Sequence, residues 1–227
     1  MSDAIEASAA RALDFVEDGQ TLGLGTGRAA TAFVRALGAE VAKGLQVRGV
    51  ATSIATAEVA RELSIPLLEL DEAGTLDVTF DGADEVDPNL DLIKGYGGAL
   101  LREKITASSS RRLVILVGPE KIVPRLGERG KLPVEVVPFG LSLCDARLRE
   151  LGCEPVLRTQ PDGNAYVTDN GNAILDCRID VIEDPAALDR AIQSIPGAVG
   201  TGLFVGMADA VIVGRDGGPE VLERSAG

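Results

Sequence analysis

The sequence predicts an α/β protein, a doubly wound parallel sheet joined to a smaller antiparallel α+β lobe. Two observations predict it. Over residues 20–117, short apolar runs alternate with segments of helical period, the pattern of strands that cross over through helices into one parallel sheet. After about Gly130 the order becomes β-α-β-β-α-β, which closes as a ferredoxin-like antiparallel sheet. The partition that follows gives residues 1–130 with 207–227 to the sheet domain and 131–206 to the lobe.

Each element has a local reason. Ile5, Ala9, Ala12, Leu13 and Val16 recur at helical spacing over 3–18, and Gly19 ends that helix. Residues 20–25 read as a short strand, Gly25-Thr26-Gly27-Arg28 as the turn after it, and 29–37 as a helix with Ala30, Phe33, Val34 and Leu37 inside. Residues 47–51 form a second strand. Thr52-Ser53 then caps a helix that runs to about Leu63, since Ser and Thr are favoured N-caps. Residues 66–70 and 76–80 read as two further strands, and a helix runs from near Gly98 to about Ser108. The wholly apolar run 113–117 suits a central parallel strand.

In the lobe, strands are expected at 134–138, 155–158, 165–169, 172–179 and 201–205, and helices at 144–151 and 185–194. Asn170-Gly171 reads as a hairpin turn. The apolar run 210–213 rejoins the first sheet, and the tail after Gly217 reads as loose.

Composition excludes several functions. The chain has no histidine, which removes Ser-His-Asp and Cys-His nucleophiles and any histidine-ligated metal. Acid–base chemistry at neutral pH falls to Asp, Glu, Lys, Tyr or Cys. The formal net charge of −13 disfavours a nucleic-acid partner, whose phosphates demand a basic surface. Cys144, Cys153 and Cys177 form no CxxC pair and read as free structural thiols. No run is long enough to span a bilayer, and the acidic start Met-Ser-Asp-Ala-Ile-Glu lacks the regions of a signal peptide. A cytoplasmic location is therefore expected.

The chemistry gathers in one stretch: Asp81-Gly82-Ala83-Asp84-Glu85, then Lys94-Gly95-Tyr96-Gly97-Gly98, then Arg102-Glu103-Lys104. Asp81 and Asp84 follow a strand, at the edge where open parallel sheets keep their ligand sites. Either aspartate could instead serve a turn or a cap, and Glu85 and Asp87 make a divalent-metal site conceivable. The glycines beside Lys94 let the backbone approach a ligand. Glu103 shares a helix face with Ala99, Leu100, Thr106 and Ala107, and desolvation there would raise its proton affinity, as suits a general base. The bland alternative is an exposed Glu103 paired with Lys104 or Arg102.

Gly23-Leu24-Gly25-Thr26-Gly27-Arg28-Ala29-Ala30 contains G-x-G-x-x-A, by itself a weak dinucleotide fingerprint. The second strand ends at Thr52-Ser53, where the fingerprint wants an acidic residue for the ribose, so a nicotinamide cofactor is disfavoured. What survives is a small-residue turn whose backbone N–H groups face a single phosphate. A tight turn with no ligand is the alternative. Lys121 follows the strand at 113–117 and would lie on the same edge; taken alone it reads as a surface lysine.

These motifs resemble those of the type A ribose-5-phosphate isomerases. The similarity rests on Gly-Leu-Gly-Thr-Gly27, Phe80-Asp-Gly-Ala-Asp-Glu85, Lys94-Gly-x-Gly97, Arg102-Glu-Lys104, Pro133-Val-Glu-Val-Val-Pro138, Thr168-Asp-Asn-Gly-Asn172 and Ile195-Pro-Gly197, in the family's order over nearly the whole chain. It implies a Rossmann-like lobe and a smaller α+β lobe. It also implies a metal-free, cofactor-free isomerisation of ribose 5-phosphate to ribulose 5-phosphate in the non-oxidative pentose phosphate pathway.

By the same resemblance Glu103 is the base that moves a proton between C2 and C1 through an enediolate, while Asp81, Asp84 and Lys94 handle the sugar hydroxyls and the oxyanion. Thr26, Gly27, Arg28, Ala29 and Lys121 hold the phosphate end, and Gly82, Ala83, Gly95, Tyr96 and Gly97 complete the substrate contacts. A homodimer or homotetramer with a phosphosugar as its small-molecule partner is implied. The chain departs from the pattern where Arg28-Ala29 replaces the usual Ser-Thr, and where the first helix carries Arg11 in place of a lysine. A non-catalytic phosphosugar sensor, a sugar-phosphate deaminase and a coenzyme A transferase are the alternatives. The deaminases commonly use a histidine, and none exists here.

Overall fold

A computed structural model of the protein describes residues 2–224. The chain divides into two compact units, Met1–Ala83 with Arg102–Ile122 and Met207–Gly227, and Asp84–Leu101 with Val123–Gly206.

The first unit is built on a six-stranded sheet of β1 (Thr21–Leu24), β2 (Arg48–Ala51), β3 (Val78–Gly82), β6 (Leu113–Val117), β12 (Ala210–Val213) and β13 (Glu220–Glu223), ordered β13-β12-β6-β3-β1-β2. All neighbours are parallel except β13, which runs antiparallel to β12. Its helices are α1 (Ser2–Ala12), α2 (Arg28–Val41), α3 (Ile54–Glu62), the single turn α4 (Leu70–Ala73) and most of α5 (Leu100–Ser108). Strand alternation decides what each face meets. Leu22, Leu24, Val78, Phe80, Val114, Leu116, Ala210 and Ile212 point into one core with Ala9 and Ala12 of α1 and Phe33, Val34 and Leu37 of α2. There the Phe33 and Phe80 rings stack with centroids 4.1 Å apart.

The opposite face carries Gly23, Thr79 and Asp81. It receives α5 closely: a Cβ on Gly23 would sit 1.9 Å from Thr79 Oγ1 and 2.8 Å from Thr106 Cγ2.

The second unit holds a four-stranded antiparallel sheet of β7 (Lys131–Val136), β8 (Glu154–Leu157), β9 (Ala173–Arg178) and β10 (Ala198–Thr201), ordered β10-β7-β9-β8. With α6 (Leu141–Glu150) after β7 and α7 (Pro185–Gln193) after β9, this is the expected ferredoxin-like chain order. Its core joins Leu132, Val134 and Val136 of β7 to Leu148, Ile192 and the buried Cys144, Cys153 and Cys177. A small sheet of β4 (Glu85–Val86), β5 (Leu92–Ile93) and β11 (Leu203–Phe204) completes the unit, ordered β11-β5-β4.

Four expectations are corrected. Residues 84–101 and 123–130, assigned from sequence to the sheet domain, pack with the second unit. The reason is local: β5 pairs with β11, and the Glu85 carboxylate accepts the N–H groups of Gly127 and Arg129. Residues 66–70 form no strand, only one bridge between Gly49 and Leu67, because Leu70 already starts α4. Residues 165–169 form no strand, since Thr168, Asn170 and Asn172 turn their side chains onto Glu135. The tail after Gly217 is ordered as β13; residues 225–227 lie outside the described residues.

Candidate active site

The turn after β1 is shaped by Asp81. The Thr26 and Gly82 N–H groups donate to Asp81 Oδ1 at 3.1 and 2.8 Å, and Gly25 N–H donates to Phe80 O at 2.9 Å. Gly25 has to be glycine, because a Cβ would lie 2.3 Å from Asp81 Oδ1 and 2.5 Å from Phe80 O. The Thr26 hydroxyl faces inward, 2.8 Å from the hydroxyls of both Thr52 and Ser53, and Thr56 Oγ1 donates to Gly25 O. Thr26 thus holds the turn by its side chain. Ser53 is the expected N-cap, accepting from Thr56 N.

Beyond the turn α2 begins at Arg28. Its N-cap, Gly27, has φ 100° and makes no side-chain cap, so the first N–H groups of the helix, through Ala29 and Ala30, have no partner within it. A Cβ on Gly27 would meet nothing within 4 Å, so that helix end opens onto space. Arg28 lines a cavity of about 280 Å³ with Gly118 and Pro119 after β6 and Gly214 and Arg215 after β12. Lys121 ends the short turn that follows, Pro119–Lys121. Arg11 is engaged elsewhere, with Asp14 and the Phe15 ring.

Glu103 is 4% exposed and Asp81 1%, which removes the exposed reading of Glu103. Their placement follows from topology. β3 and β6 are parallel neighbours, so α5 in their crossover runs antiparallel to them. Thr106 sits over the level of Gly23 and Thr79. Going back one turn to Glu103 advances about 4.5 Å toward the strand ends, and going from Thr79 to Asp81 advances about 6.6 Å the same way. Glu103 and Asp81 are therefore delivered to the same level of the same sheet face. Gly82 lies beside the turn, its virtual Cβ 4.0 Å from Thr26 O, and Ala83 is half-buried at the exit.

In the second unit, Asp84 opens the hairpin of β4 and β5, its N–H donating to Ile93 O. Its carboxylate accepts from Tyr96 N–H at 2.9 Å. Lys94 is 2% exposed, with Nζ 5.5 Å from the Phe204 ring centroid and its N–H on Gly202 O. Gly95 and Gly98, at φ 103° and 90°, are needed for conformation and packing: a Cβ on Gly98 would lie 2.2 Å from Tyr166 Oη. Gly97 alone of the three faces open space. Burial first, then the Glu85 and Asp84 carboxylates, push the Tyr96 phenol well above its ordinary range, so Tyr96 stays protonated and is no general base at neutral pH.

The metal suggested by Glu85 and Asp87 finds other chemistry. Both Glu85 oxygens accept backbone N–H groups, and Asp87 Oδ1 accepts from Asn89 and Asp91. Among the described residues no three His, Cys, Asp or Glu side chains group to hold a metal ion, and no helix is long and apolar enough to cross a membrane. Sequence reasoning missed the Thr52-Ser53-Thr56 hydroxyls behind the turn and Arg158 behind the Lys94 loop. Only the Ser53 cap signal pointed toward the former.

A Rossmann-like sheet that delivers two buried carboxylates and an uncapped helix start to its strand ends fits an enzyme acting on a small anionic ligand. The chain belongs to the ribose 5-phosphate isomerase A (phosphoriboisomerase A) family, whose model matches residues 48–218, and it is an aldose–ketose isomerase. It is 57% identical to ribose-5-phosphate isomerase A of Roseiflexus castenholzii over 92% of this chain and 91% of that one. The solved ribose 5-phosphate isomerase A of Methanocaldococcus jannaschii superposes with a TM-score of 0.94 at 39% identity, covering 98% of this chain and 99% of that one. A D-ribose-5-phosphate isomerase in complex with phospho-erythronic acid superposes at 0.95 with 37% identity, over 98% and 99% of the two chains.

Proposed function

We propose that the protein interconverts ribose 5-phosphate and ribulose 5-phosphate through an enediolate, with Glu103 as the base that carries the proton between C2 and C1. The observation that carries this reading is a 4%-exposed glutamate on the level of Asp81 in a chain without histidine. A buried carboxylate meets little competing water, which suits proton transfer at carbon. Asp81, held in place by two N–H groups on its Oδ1, handles a sugar hydroxyl and ring opening. Lys94 supplies positive charge for the developing oxyanion, and Asp84, steadied by Tyr96 N–H, holds a hydroxyl. The Gly95-Tyr96-Gly97 and Gly82-Ala83 segments complete the sugar contacts, with the Tyr96 N–H kept on Asp84.

The phosphate takes the uncapped start of α2. There the N–H groups from Gly27 to Ala29 and the Arg28 guanidinium replace the hydroxyls of a Ser-Thr pair, with Lys121 on the same edge. The phospho-erythronic acid of the solved relative supports the scheme: its planar carboxylate one carbon short of a pentose resembles the enediolate. The protein acts without cofactor or metal in the cytoplasm, in the non-oxidative pentose phosphate pathway, as a homodimer or homotetramer. The fully exposed Phe139 beside Val137 and Leu143 supports self-association.

The test is a coupled assay on ribose 5-phosphate in EDTA with wild type and Glu103→Gln. Wild type turns over in the chelator. The variant keeps KM within a few-fold and loses about 10²–10⁴-fold in kcat, the usual contribution of a positioned base. Near-normal turnover in E103Q removes Glu103 from the role.

A further inference from the structure

The loop Lys94-Gly95-Tyr96-Gly97-Gly98 is expensive to order, because its glycines have the most backbone freedom to lose. Something has to hold it. Lys94 N–H is tied to Gly202 O at 2.8 Å, and the Gly98 N–H closes a turn onto Gly95 O at 3.0 Å. Two consecutive carbonyls of the loop go to one side chain. Arg158 Nη1 donates to Gly95 O at 3.0 Å and to Tyr96 O at 3.2 Å. Tyr166 Oη donates to Gly97 O at 3.4 Å.

Arg158 is itself fixed. It leaves β8 with its N–H on Ile174 O, and its Nε and Nη2 fork onto the two oxygens of Asp176, with side-chain exposures of only 10% and 18%. Lys131 Nζ reaches the same carboxylate at 3.4 Å, and the Arg158 guanidinium lies 5.6 Å from the Tyr166 ring centroid. Two nitrogens of the guanidinium are thus spent on Asp176, and the third, Nη1, is aimed at the loop.

The consequence lies in the peptide planes. In a trans peptide the C=O and N–H point in opposite directions. The Gly95–Tyr96 peptide gives its oxygen to Arg158 and, on its other side, its N–H to Asp84 Oδ2 at 2.9 Å. The Tyr96–Gly97 peptide also gives its oxygen to Arg158, so the Gly97 N–H is turned away from Arg158, at a position where a Cβ meets nothing within 4 Å.

We propose that Arg158 is a positioning residue for the isomerisation: held by Asp176, it orients two consecutive peptide groups so that one N–H fixes the Asp84 carboxylate and the next is presented to substrate. The inference rests on the reading of Asp84 and Lys94 as catalytic residues. Lysine cannot replace the fork, since a single ammonium reaches either Asp176 or the carbonyls.

The test compares Arg158→Ala, Arg158→Lys and Asp176→Asn with wild type. Isomerase kinetics are measured with and without methylguanidine, and hydrogen exchange is followed at 95–98. In R158A kcat falls about 10²-fold, the effect of a misplacement of about 1 Å, while KM stays within threefold. Methylguanidine restores part of the rate in a saturable manner, which a general loss of stability would not allow. R158K and D176N fall between R158A and wild type, and D176N serves if R158A does not fold.

Exchange at 95–98 accelerates in R158A relative to the strands of the same lobe. A kcat within twofold of wild type in a folded R158A overturns the proposal, as does a loss confined to KM. An inactive wild type refutes the isomerase reading instead. The exchange data then still judge the clamp, which unchanged protection at 95–98 would overturn.

Discussion

Gly25→Ala isolates the coupling between the turn after β1 and Asp81. The added methyl would sit 2.3 Å from Asp81 Oδ1, 2.4 Å from its Cγ and 2.5 Å from the Phe80 carbonyl oxygen. The carbonyl is backbone in the middle of the sheet, so it is the turn that has to move. Overpacking of this kind costs about 1–3 kcal/mol. Moving the turn also stretches Gly25 N to Phe80 O and Thr26 N to Asp81 Oδ1, worth about 1 kcal/mol each. The sum is about 3–5 kcal/mol, in a chain where each kcal/mol moves Tm by about 2–4 °C.

Two measurements check it: urea unfolding, and kcat/KM in the coupled isomerase assay. G25A should unfold at clearly lower urea and lose activity beyond what the unfolded fraction explains, because Asp81 is displaced. Gly27→Ala is the control. It meets no atom within 4 Å but sits at φ 100°, so its cost of about 1–3 kcal/mol is conformational. A G25A protein within about 0.5 kcal/mol of wild type, the range of neutral surface changes, with unchanged kcat/KM would refute the reasoning.

Two more predictions concern the second unit. Glu135 is fully buried, and its Oε1 accepts from Thr168, Asn170 and Asn172 while Oε2 has no hydrogen-bond partner. Glu135→Ala strands those donors and should cost about 2–4 kcal/mol, read by urea unfolding, with protection lost at 168–172 in hydrogen exchange; unchanged protection there would sink the idea. The Tyr96 phenol is raised above the ordinary 10.0, by burial first and the Glu85 and Asp84 carboxylates next. Its neutral form is favoured in the folded state, so its stabilising effect is present below the unfolded value and lost as pH rises past it. Denaturant stability should therefore fall above about pH 10 in wild type and fall less steeply in Tyr96→Phe; parallel pH profiles for the two would contradict this.

The sequence by itself determined the architecture and the chemical inventory. Periodicity and apolar runs are local, so β6 at the sheet centre, the Ser53 cap and the lobe's β-α-β-β-α-β order were all legible. The missing histidine narrowed the acid–base groups to Asp, Glu, Lys, Tyr and Cys, and the strand-exit rule put Asp81 at the ligand edge.

What only the tertiary structure decided is which partner each polar group takes. Thr26 is expected at the phosphate end of the turn, and which way its hydroxyl faces is set by hydroxyls 26, 27 and 30 residues away at Thr52, Ser53 and Thr56, which turn it inward. Glu85 and Asp87 look like metal ligands until backbone N–H groups are seen to occupy them. Residues 165–169 have strand composition, yet Glu135 draws their side chains away from a ladder. Arg158 carries no local signal at all, because its meaning lies in carbonyls 62 and 63 residues earlier. Hydrogen-bond pairing between distant segments leaves no trace in periodicity, and that pairing is what turns a chemically suitable stretch into an oriented site.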